Sequence, residues 1–325
     1  MMKIFVADAY GSHSKIEMIT GNVGLFQEPI SEKLFFEAKT LGSADAVLVP
    51  HDAYYFSKYP EYLKYLNTLA VNKLVIFSDR GDFPKRPKIT NSIALRVAIS
   101  PGESRVGKIV IPYNVESLAF LPFKKLATRP TVSFVGYMPK ISLGRFKQAL
   151  LQSPFHPIEG NGAIIRRLSN RTLIRADISY IGVVRDAYGA FDASNINPTR
   201  NRSEYLDSIS QSDLVACPRG DANQSARFYE TISAGRIPLI PDTSIVLPHV
   251  PANFLSGLFV NLPFRARKLE ILIREYFESI ENQSEYNKRQ KDLRDLFLKY
   301  LRFEPSVKRI FAADKADILN FANLV

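Results

Sequence analysis

Short apolar runs rich in β-branched residues recur along the first 128 residues: "KIFVAD", "DAVLVPH", "KLVIFSD" and "KIVIPY", each ending on a polar residue or a turn. Runs this short, without polar alternation, fit strands buried on both faces. Between them "SEKLFFEAKTLG" and "EYLKYLNTLAVN" carry apolar residues at helical spacing. Strand, helix and strand in alternation predict βαβ units and a parallel sheet.

The plan then starts again. "FKKLATRPTVSFVGYMP" reads as a basic, proline-containing linker followed by the strand "TVSFVG". After it come "GRFKQALLQS" as a helix, "SYIGV" as a strand, "RSEYLDSISQS" as a helix, "DLVACP" as a strand, "SARFYETISAG" as a helix and "RIPLIP" as a strand. The segment Asp186–Arg202 is rich in Asn, Gly and Pro and lacks periodicity, so it is expected to be a loop or lid near a site. "EILIREYFESIENQSEYNKRQKDLRDLFLKYLRF" predicts two amphipathic helices and "KRIFAADKADILNFANLV" one more. A chain of 325 residues exceeds the size at which a single core stops growing. The expectation is an α/β fold of two Rossmann-like domains, 1–128 and 129–306, with a last helix over 307–325 able to pack back onto the first. The carboxyl ends of the two sheets would border a central cleft, where such sheets bind ligands.

Lys and Arg number 43 against 32 Asp and Glu, a net charge of +11 that favours an anionic partner: nucleic acid, a phosphorylated substrate or an acidic lipid surface. No interleaved Arg/aromatic repeat suggests a nucleic-acid module, so nucleic acid is not the expected partner. The single cysteine, Cys217, excludes an internal disulfide framework and fits a reducing compartment. The N-terminal apolar run, Ile4 to Ala7, is too short for a signal-peptide core or a span, so a cytoplasmic protein, peripheral on a membrane, is expected. The four histidines (13, 51, 156 and 249) are scattered and no Asp-x-Asp occurs, so no bound metal is expected.

The densest chemistry lies in "ACPRGDANQSARFYETISAGRIPLIPD", Ala216 to Asp242. "DLVACP" reads as a buried strand, and "RGDAN" turns the chain into a helix beginning near Gln224, with Gly220 at the turn and Asp221 or Asn223 as cap. A helix N-terminus after such a turn presents backbone N–H groups and the positive end of a dipole to a diphosphate. Arg227 and Glu230 share a helix face. They serve either as a phosphate-binding cation and an acceptor for two ribose hydroxyls, or as a plain i,i+3 surface ion pair. Cys217 in a buried strand reads as packing and not as a nucleophile.

The stretch "SEYLDSISQSDLVACPRGDANQSARFYETISAGRIPLIPDTSIVLP" resembles the C-terminal signature of exostosin-type glycosyltransferases. The shared elements are Ser212 before the strand, Cys217 to Gly220, the Ser225-x-Arg227-x-x-Glu230 helix, Gly235-x-Ile237-Pro238, Asp242 and Leu247-Pro248. "SADAVLVPHDAYYF", "KIVIPY" and "RPTVSFVGYMP" are similar, in order, to that family's upstream strands.

The resemblance implies a GT-B fold and inverting transfer of a sugar from a nucleoside-diphosphate sugar, used as a substrate with no cofactor. The acceptor would be a glycan or lipid-linked glycan, in surface polysaccharide or glycan synthesis. The chain is expected to lack the anchor and second catalytic domain of the animal members, which removes support for their heparan-type acceptors. The donor side is expected to use Arg219, Gly220, Asn223, Ser225, Arg227 and Glu230, with Gly136 at the end of "TVSFVG" and Arg166. One general base is expected at the strand ends of the first domain, from among Asp8, His13, His51 and Asp52. Asp79 sits at the same edge by pattern, with capping as its plain alternative. The competing readings are a non-catalytic nucleotide- or glycan-binding module of the same fold, and a basic nucleic-acid-binding protein.

Overall fold

The structure is a computed structural model that describes residues 3–6, 36–52, 60–79, 88–138, 140–152, 155–185, 198–250, 257–313 and 315–322. The strands of the first half are β1 (Lys3–Val6), β2 (Phe36–Glu37), β3 (Ala46–Asp52), β4 (Leu74–Asp79), β5 (Ser92–Arg96) and β6 (Lys108–Val110). They form one sheet in the order β2-β1-β3-β4-β5-β6, with every pairing parallel. A second parallel sheet, ordered β11-β10-β9-β7-β8, comprises β7 (Thr131–Tyr137), β8 (Ser179–Arg185), β9 (Leu214–Ala216), β10 (Ile237–Pro241) and β11 (Val260–Leu262). The helices are α1 (Pro60–Ala70), α2 (Leu143–Gln152), α3 (Gly162–Arg175), α4 (Pro198–Gln211), α5 (Ala226–Ser233), α6 (Ala266–Glu278), α7 (Gln283–Leu296), α8 (Phe303–Ala312) and α9 (Lys315–Phe321).

The apolar runs do what their lack of alternation predicts. β4 is buried along its whole length, because helices cover both faces of its sheet. On one face α1 sets Tyr62, Leu66 and Leu69 against Val47, Val49, Val75 and Phe77. On the other, Phe303, Val307, Phe311 and Ile318 of α8 and α9 pack on Ile4, Leu48, Ile76 and Leu95. Phe228, Tyr229 and Ile232 of α5 join the larger core of the second sheet, beside Phe134 and Ile237.

In each sheet the first strand lies between the second and third, β1 between β2 and β3, β7 between β8 and β9. The chain therefore winds one way after the first strand and the other way after the second. At such a reversal the flanking connections diverge and leave a crevice at the strands' carboxyl ends. The two carboxyl edges meet: Asn223 Nδ2, in the turn after β9, donates to the carbonyl of Ile99, just past β5, at 3.1 Å. Gly102, in the same segment as Ile99 and at φ +74°, sits so close to His156 that a Cβ there would lie 3.2 Å from its Cδ2.

Three expectations need correction. The helical spacing of "SEKLFFEAKTLG" gives, in its described part, the strand β2 and a short 3-10 turn over Leu41–Ser43. Parallel pairing of Phe36 with Lys3 wins over the local pattern there. The loop expected over Asp186–Arg202 is helical from Pro198 onward. A proline costs nothing at the first helical position, where its missing N–H has no partner to lose. The last predicted helix is two, α8 and α9, separated at an extended Ala313. Among the described residues no helix is long and apolar enough to cross a membrane.

Candidate functional site

β9 is short, and its ladder with β7 reaches only Val132 and Ser133. The last residues of β7 therefore lack a strand neighbour on that side, and buried carbonyls left unpaired are costly. Arginine side chains fill the role. Arg227 Nη2, from α5, donates to the Val135 carbonyl at 2.6 Å, and Arg166 Nη1, from α3, donates to the Tyr137 carbonyl at 2.6 Å. α5 follows β9, and α3 lies in the connection from β7 to β8, so the guanidiniums flank the reversal point from its two sides. Gly136 lies between the two carbonyls. A Cβ at that position would come within 2.5 Å of Arg227 Nη2, so only glycine leaves room for the guanidinium.

The Arg227 guanidinium carbon lies 4.9 Å from the Phe134 ring centroid and 5.7 Å from that of Tyr205. Its Nε and Nη1 are buried and make no hydrogen bond among the described residues. No carboxylate lies within ion-pair distance of it among the described residues. The i,i+3 pair with Glu230 does not form. Glu230, 13% exposed, accepts instead from Arg202 Nη1 at 2.7 Å and from the Tyr205 hydroxyl at 2.6 Å. Arg202 Nη2 continues the chain of charges to Glu116 at 3.0 Å. Burial, with the negative charge of Glu230, holds the Tyr205 phenol far above its ordinary range, so it stays a donor. Cys217 is buried, donates to the Val215 carbonyl at 3.3 Å, and burial pushes its thiol up to about 12. A thiol held neutral in this way is packing, as its sequence context suggests.

The turn between β9 and α5 is built from within. Arg219, 2% exposed, donates to the carbonyls of Glu159 at 2.9 Å and Asp221 at 2.7 Å. Its own carbonyl accepts from Arg166 Nε at 3.0 Å. Gly162, at the start of α3, presses on this turn, where a Cβ would lie 2.0 Å from the Gly220 carbonyl oxygen. Asn223 donates to Ile99 and, at 2.9 Å, to the Thr243 carbonyl. Neither expected cap caps the helix. Asp221 pairs with Arg145 at 2.9 Å, and the N-cap is Ser225, which makes no side-chain cap bond. The first-turn amides of α5 thus keep their donors unclaimed by that side chain.

Of the residues singled out by sequence, Gly136, Arg166, Gly220 and Arg227 come together at the end of β7, with Gly220 placed so that a Cβ would lie 3.3 Å from Arg166 Nη2. Ser225 and Glu230 flank Arg227 on α5. Arg219 donates to backbone carbonyls inside the turn, and Asn223 makes the contact between the sheets. Arg202 and Tyr205 are not singled out by the sequence reading, although both fall in the predicted helix "RSEYLDSISQS". Their three-residue spacing behind Pro198, a good first helical residue, is the signal that would have placed both on one face.

At the facing sheet, His51 and Asp52 end β3 beside the first sheet's reversal point, with a register shift between Val49 and Asp52. Their side chains lie outside the described residues, as do Asp8 and His13 entirely. Asp79 is withdrawn from the cleft, 2% exposed and 3.5 Å from the fully buried Arg96, which also holds Glu103 at 2.5 Å.

Residues 190–249 match the RXYLT1 C-terminal domain. That span contains the segment from Ser212 to Pro248 on which the resemblance to exostosin-type glycosyltransferases rests. None of the curated proteins matches the chain. Similar solved structures include the lipopolysaccharide outer core galactosyltransferase WaaB in its apo form, with 12% identity, a TM-score of 0.42, and coverage of 96% of this chain and 99% of that one. Anabaena HepE in complex with UDP and glucose is 10% identical, with a TM-score of 0.40 and full coverage of both chains. TarM is 10% identical with a TM-score of 0.37, and the match covers 80% of this chain but only 57% of TarM. At these scores the likenesses add nothing to the chain's own topology of two Rossmann-like parallel sheets with meeting carboxyl edges, the GT-B plan.

Proposed function

We propose that the protein is an inverting glycosyltransferase that moves a sugar from a nucleoside-diphosphate sugar to a glycan or lipid-linked glycan at an anionic membrane surface. The observation that carries the reading is Arg227, a half-buried cation at the reversal point of the second sheet with no carboxylate partner among the described residues. A guanidinium in such a place calls for an anion from outside the chain, and a diphosphate supplies one. The α5 N-terminus beside it, with Ser225 uncommitted, adds amide donors of the kind phosphates take.

In this reading Arg227 and Arg166 neutralise the leaving diphosphate, so the charge that develops as the bond breaks meets cations already in place. Glu230, oriented by Arg202 and Tyr205, retains lone pairs for the two vicinal hydroxyls of the ribose. An acceptor hydroxyl attacks the anomeric carbon as the bond from that carbon to the diphosphate oxygen breaks. The hydroxyl proton passes to one base at the edge of the first sheet, among Asp8, His13, His51 and Asp52. The chain's own cations carry the leaving-group chemistry, and no cofactor is required.

The test is release of nucleoside diphosphate from a panel of nucleotide sugars, with and without glycan acceptors, and the anomeric configuration of the product by NMR. Transfer with inversion is expected. A retained configuration would overturn the mechanism, and binding without turnover would leave the non-catalytic reading in its place.

A further inference from the structure

The helix after β7 is amphipathic in the wrong sense for a soluble protein. On α2 the inward side carries Ala149, which is buried, and Arg145, which reaches Asp221. Its outward side carries Leu143, Phe146, Leu150 and Leu151, with Leu143 87% exposed, around the exposed Lys147. Three- and four-residue spacing makes this one continuous stripe. The apolar surface continues past the helix into Phe155, 86% exposed, and Ile158, and begins before it at Ile141. Single exposed leucines need no explanation, whereas a contiguous patch marks an interaction surface.

The charges say which kind. From Lys140 to Ile158, "KISLGRFKQALLQSPFHPI" contains Lys140, Arg145 and Lys147 and no acidic residue. Lys140 and Lys147 are exposed at the edge and centre of the stripe, where long stems let an ammonium reach phosphate head groups while the leucines enter the acyl boundary. We propose that the outward face of α2, with its flanks Ile141 and Phe155, docks the protein on an anionic lipid bilayer. The +11 net charge of the chain adds attraction at longer range. The Arg145–Asp221 pair ties this face to the turn of the candidate site, so docking would hold that turn near the membrane plane. The assignment deepens the membrane part of the reading above and rests on it for its purpose. Lipid binding is read without turnover, so either can fail alone.

The experiment is flotation of the full chain with vesicles of phosphatidylcholine, alone and mixed with phosphatidylglycerol. The protein is expected to float with the mixed vesicles and less with the neutral ones. The double variant Leu143→Ser, Leu151→Ser should bind the mixed vesicles at least about tenfold more weakly, as expected for losing two insertable leucines. Its melting temperature should match the parent, because both side chains are exposed. Lys147→Glu should weaken binding by charge alone. The proposal is overturned if the parent does not float with the mixed vesicles, or if the double variant floats like the parent. It is also overturned if the double substitution abolishes only a concentration-dependent self-association, which would assign the face to a second copy of the chain.

Discussion

A half-buried guanidinium with no carboxylate partner among the described residues is a charge the fold keeps at a cost of order kilocalories. Arg227 is in that position, and the space it occupies exists because residue 136 has no Cβ. Gly136→Ala would push a methyl to within 2.5 Å of Arg227 Nη2, the far end of a flexible side chain, so the guanidinium has to leave the Val135 carbonyl. The expected outcome is a melting temperature within a few degrees of the parent and roughly tenfold or greater loss of nucleoside-diphosphate affinity, read by titration. Cys217 makes the opposite kind of prediction. Its folded thiol titrates at about 12 against an unfolded value near 8.5, so the stabilisation is complete below the lower value and is lost as pH rises toward the upper one. Denaturation midpoints of the parent should fall more steeply between about pH 9 and 11 than those of Cys217→Ala, with turnover at neutral pH unchanged by the substitution. A loss of turnover in that variant would restore the cysteine as a chemical group.

Among the elements, α3 and the turn after β9 meet backbone to backbone at Gly162, whose absent Cβ would overlap the Gly220 carbonyl carbon at 2.7 Å and its oxygen at 2.0 Å. Neither partner is a side chain that can rotate away. Gly162→Ala is therefore expected to destabilise by about 1–3 kcal/mol, seen as a fall in the denaturant midpoint, whereas Gly144→Ala, with only Ser142 Oγ at 3.9 Å, should be nearly silent. The elements that were legible in the sequence are those whose pattern is local: buried runs such as "KLVIFSD" and the Gly-ended helix of α5. β5, "SIALR", and β11, "VNL", lack a long apolar run, and parallel pairing alone makes them strands. The sequence pattern starts α4 at Arg202 instead of Pro198, because Asn and Pro around residue 198 mimic a loop. Arg219 and Arg236 were unreadable as interior groups. Both are basic residues in a motif, and only the tertiary structure supplies the carbonyls that receive them, for Arg236 those of Ile209 at 3.1 Å and Pro122 at 2.9 Å. Burial pulls the Arg236 guanidinium down to about 10.

At the scale of the molecule, two sheets with the same reversal of winding meet at their carboxyl edges, and each contributes a different resource. The second brings cations and a helix N-terminus, the first the strand ends where His51 and Asp52 stand. If the leaving diphosphate is neutralised by Arg227 and Arg166, turnover should persist in excess EDTA. Abolition by chelator, with recovery on adding a divalent cation, would move that role to a metal. The central claim is that the end of β7 is a nucleoside-diphosphate site held by Arg227. The most direct measurement is calorimetric titration of the parent and of Arg227→Met with a panel of nucleoside diphosphates. The account predicts that at least one binds the parent, that the variant loses about tenfold to a hundredfold in affinity, and that the variant melts within a few degrees of the parent, because removing a half-buried charge offsets the lost hydrogen bond to the Val135 carbonyl. Equal affinity in the two proteins, or no binding by the parent, would contradict it.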